Sequence, residues 1–525
     1  MINYHPGYAK QFALGKGFEM GSIGFDNEAY LKHQAAGLME RAKAFGNKLY
    51  LEFGGKLMYD YHAARVLPGY DPNAKLRLLQ SLGDKAEIIL CVYAEDIERK
   101  KMRADFGISY DDDTLKLIDS LRSWSIHVCA VVITRFDGQP AALQFRNKLE
   151  ARGITVKLHR AVPGYPSNLD LVVSKDGYGA NDYVATTRPI VVVTGPGPGS
   201  GKLATCLTML YHDRMAGRLA GYAKFETFPV WDLPLKHPIN LAYEAATADL
   251  GDINMIDPFH LEAYEKIAVN YNRDVDAFPL LREIWARLSM DGECPYRSPT
   301  DMGVNCISAG IVDDAVCVEA AKQEVIRRYF RHLSDAVAKG ASDKRPVEIL
   351  ERLMQQLGLH PEDRLVVQPA REAAHEASQR KTLEGVACGA AMQLKDGTVV
   401  QGKNSTSLHA AAAVVLNAVK HLAKIPALLH LLAPETVNSV RSMKQDILNG
   451  RYGSLNLDET LVALAICAAT DANAAAALQQ LAELRDCEMH LSHMLTPGDE
   501  AGLRRLGIRA TNDPLFATAE LFVDS

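Results

Sequence analysis

A run of β-branched residues, Ile190-Val191-Val192-Val193-Thr194, leads straight into Gly195-Pro196-Gly197-Pro198-Gly199-Ser200-Gly201-Lys202 and then into a helical pattern reaching about residue 216. β-Branched side chains suit the buried, pleated surface of a strand. Glycines then allow a turn too tight for other residues. A buried strand that turns directly into a helix narrows the fold to an α/β arrangement. The flanking chain agrees. Short apolar runs at 48–53, 87–93, 127–134 and 154–158 read as strands, and 73–82, 113–122 and 139–151 as helices between them. Alternation at that spacing predicts a parallel sheet covered by helices.

The same loop carries chemistry. A bound phosphate needs several N–H donors converging on it, with the positive end of a helix behind them. Gly195, Gly197, Gly199, Ser200 and Gly201 let the backbone approach closely, and Lys202 adds a mobile cation for outer phosphates. Against the G-x-x-x-x-G-K-[ST] spacing, Pro196 stands at the first glycine and Leu203 at the hydroxyl that holds magnesium. Thr205 lies about 200° further around the helix and does not substitute. Pro196 and Pro198 also lack amide donors. Within these departures, Pro198-Gly199-Ser200-Gly201-Lys202 resembles the loop of adenylate-kinase-type P-loop enzymes. The resemblance implies ATP or another phosphate-bearing small molecule as ligand, with only a weak case for magnesium.

Other residues join this candidate site. On the strand-like segment 222–227, Glu226 is suited to orient a water or metal and Lys224 to neutralise a substrate anion; solvated surface positions are the competing reading. Lys202 and Glu226 are therefore the catalytic candidates. Arg297, in a polar segment flanked by apolar residues, is a phosphate-binding candidate because its planar fork matches an anion.

Beyond residue 229 helical patterns at 261–267, 277–288 and 312–338 dominate, followed by a linker of small and charged residues at 339–346. Then 383–394 and 398–401 read as strands around an Asp396-Gly397 turn, with alanine-rich helices at 409–424 and 459–484. The shifts divide the chain into an α/β domain over 1–228, a mainly helical region over 229–345 and a second α/β domain over 346–525. The two strands followed by His409-Ala410-Ala411 at a helix start resemble the opening of the cytidine-deaminase fold. That resemblance implies the topology without the reaction, because Ala411 stands where a proton-transferring Glu belongs and no P-C-x-x-C follows. No metal site is expected. Asp249, Asp252 and Asp257, with Glu244 and His260, fit no EF-hand register. A strand through Cys487, His490 and His493 would turn His490 to the opposite face.

Composition removes several function classes. Lys plus Arg total 58 against 64 Asp plus Glu, a net charge of −6 with no long block of one sign. Nucleic-acid binding would need a concentrated basic surface. The most apolar stretch, 408–433, is interrupted by Lys420, His421 and Lys424, so no membrane span is expected. The nine cysteines are scattered with no C-x-x-C pair, the usage of a reducing compartment. With no basic-then-apolar leader at Met1-Ile2-Asn3-Tyr4-His5-Pro6-Gly7, a cytoplasmic location is expected. The apolar, alanine-rich helices make a homo-oligomer an expectation as well.

Four blocks complete the reading: Leu51-Glu52-Phe53-Gly54-Gly55-Lys56, Asp60-Tyr61-His62-Ala63-Ala64-Arg65-Val66-Leu67-Pro68-Gly69, the loop at 195–202, and Ser298-Pro299-Thr300-Asp301-Met302-Gly303. Their combination resembles an uncharacterised bacterial family, the domain of unknown function 1846. The resemblance implies a cytoplasmic bacterial protein and transfers no substrate. Two functions stay open. One is a nucleotide- or phosphometabolite-dependent phosphotransferase or hydrolase; the other is a non-catalytic phosphate-ligand-binding or scaffolding protein.

Overall fold

In a computed structural model the structure describes residues 22–103, 107–338, 340, 344–379 and 386–518. The chain forms two compact units, one of residues 23–321 and one built on residues from 322 onward. The expected linker at 339–346, the start of the strand expected at 383–394, and the first seven residues fall wholly or partly outside the described residues.

In the first unit six strands form one sheet: β1 (Leu49–Phe53), β2 (Ala86–Tyr93), β3 (Val128–Thr134), β4 (Val156–Leu158), β5 (Ile190–Thr194) and β6 (Gly221–Phe225). Their order is β4-β3-β2-β5-β1-β6 and every pairing is parallel. The β-branched run at 190–194 is buried along its whole length, as a central strand covered on both faces must be. One face packs against α4 and α5, the fourth and fifth of the helices α1 (Asn27–Ala44), α2 (Tyr110–Ser123), α3 (Pro140–Glu150), α4 (Lys202–Met215) and α5 (Asn272–Leu288). There Tyr50, Ile89, Val132, Val191 and Val193 share a core with Cys206, Leu207 and Leu210 of α4 and Phe278, Ile284 and Trp285 of α5.

Strand order decides where a ligand fits. β5 inserts between β1 and β2, and β6 then adds on the far side of β1. Such a reversal opens a crevice at the carboxyl ends of the strands. The helices expected at 261–267, 277–288 and 312–338 are found as Pro258–Tyr264, α5 and Asp314–Ala338, and the stretch 229–321 also holds an antiparallel pair, β7 (Asn254–Ile256) with β8 (Val269–Tyr271). Strands of three residues are too short to show alternation in the sequence.

The second unit has a separate mixed sheet of β9 (Gly389–Gln393), β10 (Val399–Lys403), β11 (Glu488–Leu491) and β12 (Arg509–Asn512) in the order β10-β9-β11-β12. β9 runs antiparallel to β10 and β11, while β11 and β12 are parallel. Helices α6 (Val367–Ser378), α7 (Ala410–Leu422) and α8 (Pro497–Leu506) accompany it. The single helix expected at 459–484 is two, Leu457–Ala468 and Ala472–Gln479, running on as a 3-10 turn. Asp471 interrupts it by accepting the Ala474 amide at 2.8 Å, an N-cap that starts the second helix afresh.

His493 supplies a pH prediction for this unit. Its ring is buried, and Nδ1 has no hydrogen-bond partner among the described residues. Burial pushes its pKa down to about 4, with Asp499 opposing. The folded value lies below the unfolded one, so between about pH 6.5 and 4 the unfolded chain binds the extra proton. Stability should fall as pH drops through that window, by up to roughly 3 kcal/mol, and fall no further through this residue below pH 4. Urea melts at pH 7, 5.5 and 4.5 read this directly. The same slope in His493→Gln would remove the assignment.

Candidate functional site

The loop at 195–201 leaves the carboxyl end of β5. Gly201 sits at φ +88°, a left-handed conformation that sets the start of α4, and a Cβ there would meet the Thr134 side chain at 2.8 Å. A Cβ at Gly197 would fall 2.5 Å from the Tyr110 hydroxyl. The loop is held from its carbonyl side: Thr134 Oγ1 donates to Ser200 O at 2.8 Å, and Arg135 donates to Gly199 O. Lys202 Nζ folds back towards Gly197 O at 3.5 Å. Among the described residues, the amides of Gly197, Gly199, Gly201, Lys202 and Leu203 donate to no protein acceptor. Ser200 Oγ is enclosed and also without a partner. Thr205 is fully buried and accepts a hydrogen bond from the Cys91 thiol at 3.4 Å, so its hydroxyl belongs to the core.

Replacing Gly201 by alanine should destabilise the protein by about 1–3 kcal/mol, because left-handed strain and a collision act together. Thermal melts test this. A variant as stable as wild type would show that the loop is not held as described.

Two strands away, at the end of β6, a cavity of about 530 Å³ opens among residues of the same unit. Lys224 Nζ pairs with Asp274 Oδ2 at 2.5 Å and Glu226 Oε1 at 3.3 Å, and the Tyr271 hydroxyl donates to Glu226 Oε2 at 2.7 Å. Burial opposes the Lys224 charge, yet these carboxylates outweigh it and raise its pKa. Glu52, on the intervening β1, accepts from the Tyr222 hydroxyl at 2.7 Å. Burial raises its pKa although the Lys224 and Lys202 charges both pull it down, so it feels the cavity and the loop together.

The turn after β1 is shaped to serve both. A Cβ at Gly54 would collide with the Glu226 carboxyl, so glycine lets that carboxyl lie over the end of β1. Lys75, buried, donates to Gly54 O at 3.3 Å and Lys56 O at 3.0 Å and pairs with Asp60 at 3.3 Å. The blocks at 51–56 and 60–69 are thereby tied into one structure. The block at 298–303 extends the edge of β6, with Gly303 bridged to Lys224. Fully buried Asp257 fixes that block. Its Oδ1 accepts the Phe259 and His260 amides at 3.0 Å, and its Oδ2 accepts the Thr300 amide at 3.1 Å and hydroxyl at 2.6 Å.

The sequence candidates therefore separate. Gly195, Gly197, Gly199, Ser200, Gly201 and Lys202 share the loop, and Glu226 lies beside the cavity. Arg297 is exposed, stacked 4.8 Å above the Tyr264 ring, and does not line the cavity. The acidic stretch disperses into local roles, with Asp252 pairing to Arg273 and Glu244 accepting the Asn254 amide. His409, at the start of α7, bonds through Nδ1 to buried Asp499 at 2.7 Å, and His490 bonds to Thr511. Among the described residues no group of three or more His, Cys, Asp or Glu side chains is arranged to hold a metal, and no helix is long and apolar enough to cross a membrane. Sequence reasoning passed over Glu52, Trp231, Tyr271 and Asp274 as site residues. The only signal for the last two was their place at the start of α5.

The model for the N-terminal domain of unknown function DUF1846 matches residues 23–358, and that for the C-terminal domain of the same family matches 362–522. A protein of Clostridium tetani named "UPF0371 protein" is 50% identical over 503 residues, covering 96% of this chain and all of the relative. A Clostridium botulinum protein of that name, from strain Alaska E43, is 49% identical over the same share of both chains. The two units, with the loop, the Gly54-Gly55 turn and the 298–303 block, are thus the structure of a DUF1846 protein, the family to which this chain belongs.

Proposed function

We propose that this chain binds a phosphate-bearing small molecule at the 195–203 loop and acts on it as a phosphotransferase or hydrolase. The observation that carries the reading is the run of loop and helix-start amides spent on no protein acceptor, ending at a lysine whose ammonium is held only loosely. Such amides, with the helix dipole behind them, form a ready anion site. In this P-loop-like reading Lys202 stabilises charge on the transferred group, and Glu226, beyond the end of β1, orients the attacking water or hydroxyl. Leu203 and the sealed hydroxyl of Thr205 supply no magnesium ligand, so any metal would arrive with the ligand.

The second reading, binding without turnover, is favoured by the engagement of Glu226 with Lys224 and Tyr271. The second unit is a deaminase-like domain in this proposal, supported by its strand order and by the helix that starts at His409. A cytoplasmic homo-oligomer completes it. Calorimetric titration with inorganic phosphate, ATP and GTP tests the binding. No heat at millimolar ligand removes the proposal, and binding with no product formed selects the second reading.

A further inference from the structure

We propose that the ligand is a phosphorylated sugar or related polyol, its phosphoryl group on the loop and its hydroxylated part in the cavity at the end of β6. The inference rests on the phosphate reading above and adds what the rest of the ligand must be. Only β1 separates β5 from β6, so at ordinary strand spacing the loop and the cavity begin about 10 Å apart. A single phosphate ester of a ring-sized group bridges such a gap. Glu226, lying over Gly54 at the end of β1, stands between the two halves.

Charge decides the chemistry of the second half. Glu40, Glu226, Asp274 and Asp301 line the cavity against Lys224 and Arg41, and Arg41 donates to the carbonyls of Asp301 and Gly303. A second anionic group, such as the far end of a polyphosphate, meets net negative charge there. Hydroxyl groups meet the reverse. Ionised carboxylates are pure acceptors with about four lone-pair sites each, and they form strong hydrogen bonds to O–H donors. Pairing with Lys224 fixes Asp274 and Glu226 in place, so little ordering remains to be done when a ligand enters. Trp231, held by its Nε1 bond to Asn305 O at 3.1 Å, and Phe228 supply apolar walls for the C–H faces of a sugar ring. A nucleobase offers fewer donors to such a wall than a polyol does.

The test titrates the full chain with inorganic phosphate, free glucose, ATP and a panel of hexose and pentose phosphates. The best sugar phosphate should bind at least 10-fold more tightly than inorganic phosphate. Asn270 also lines the cavity, its side-chain amide donating to Thr300 Oγ1 at 3.4 Å. That gain should vanish in Trp231→Leu and in Asn270→Ala while affinity for inorganic phosphate stays unchanged; the second variant guards against misfolding of the first. Equal affinity for phosphate and every sugar phosphate in wild type overturns the inference and leaves the loop reading intact. So does a gain that survives both substitutions, or ATP binding 10-fold more tightly than any sugar phosphate. Silence from every phosphate compound strikes the loop reading itself.

Discussion

Lys202→Ala should weaken binding of inorganic phosphate and of ATP by roughly 10- to 100-fold while leaving the fold intact. A hydrogen bond to a charged group contributes about 1.5–3 kcal/mol, and each 1.4 kcal/mol is tenfold in affinity. The ammonium is well placed for a clean experiment. Among the described residues its hydrogen bonding is limited to Gly197 O at 3.5 Å, so before ligand arrives its removal breaks one long hydrogen bond and takes away part of the positive charge that offsets buried Glu52. The amides behind it remain, which is why binding should weaken and not disappear. Calorimetry measures the change, and thermal melts check it independently: a saturating ligand should raise the wild-type midpoint more than the variant's. Unchanged affinity in the variant would show that the anion sits elsewhere.

The second large effect concerns stability. Arg364→Ala should cost the second unit about 3–5 kcal/mol, the range for breaking one side of a buried charged network. The guanidinium is buried and bonds to Met489 O at 3.1 Å, Arg509 O at 3.0 Å and Thr511 Oγ1 at 3.0 Å, with Glu488 at 2.7 Å. It therefore ties β11 to β12 beyond their own ladder. Burial would raise the Glu488 pKa, but Arg364 and Arg509 hold it below the ordinary range, so the carboxylate stays charged and needs its partner. Arg364→Met, which keeps much of the volume, should lose nearly as much, because the deficit is unpaired polar groups and not a void. Urea denaturation resolves the two variants. A loss under about 1 kcal/mol for both would mean that water replaces the guanidinium.

What the sequence disclosed depended on how local each feature is. β5 and its loop were visible because a β-branched run, closely spaced glycines and a following lysine lie within a dozen or so consecutive residues. The helix starting at Lys202 was visible for the same reason. Glu52 was readable only as a strand residue. Its nearness to Lys202 and Lys224 follows from β1 lying between β5 and β6, a long-range pairing that no local pattern encodes. Tyr271 was hidden by the brevity of β8, and Asp274 lies in the first turn of α5, ahead of the helical pattern read at 277–288. Arg297 has the right chemistry for an anion, but its partner, Tyr264, comes from a different element. The break at Asp471 was legible in principle, since an N-cap side chain needs only three residues to act, yet the alanine run around it masked the signal.

The way the Glu226 carboxyl rests on Gly54 has an evolutionary corollary. Any side chain at position 54 displaces that carboxyl from its seat, so a lineage that uses the acid in this position should favour glycine there. A lineage that loses the acid releases position 54 to drift. The two positions, far apart in the chain and each just past the end of a neighbouring strand, should therefore vary together among relatives.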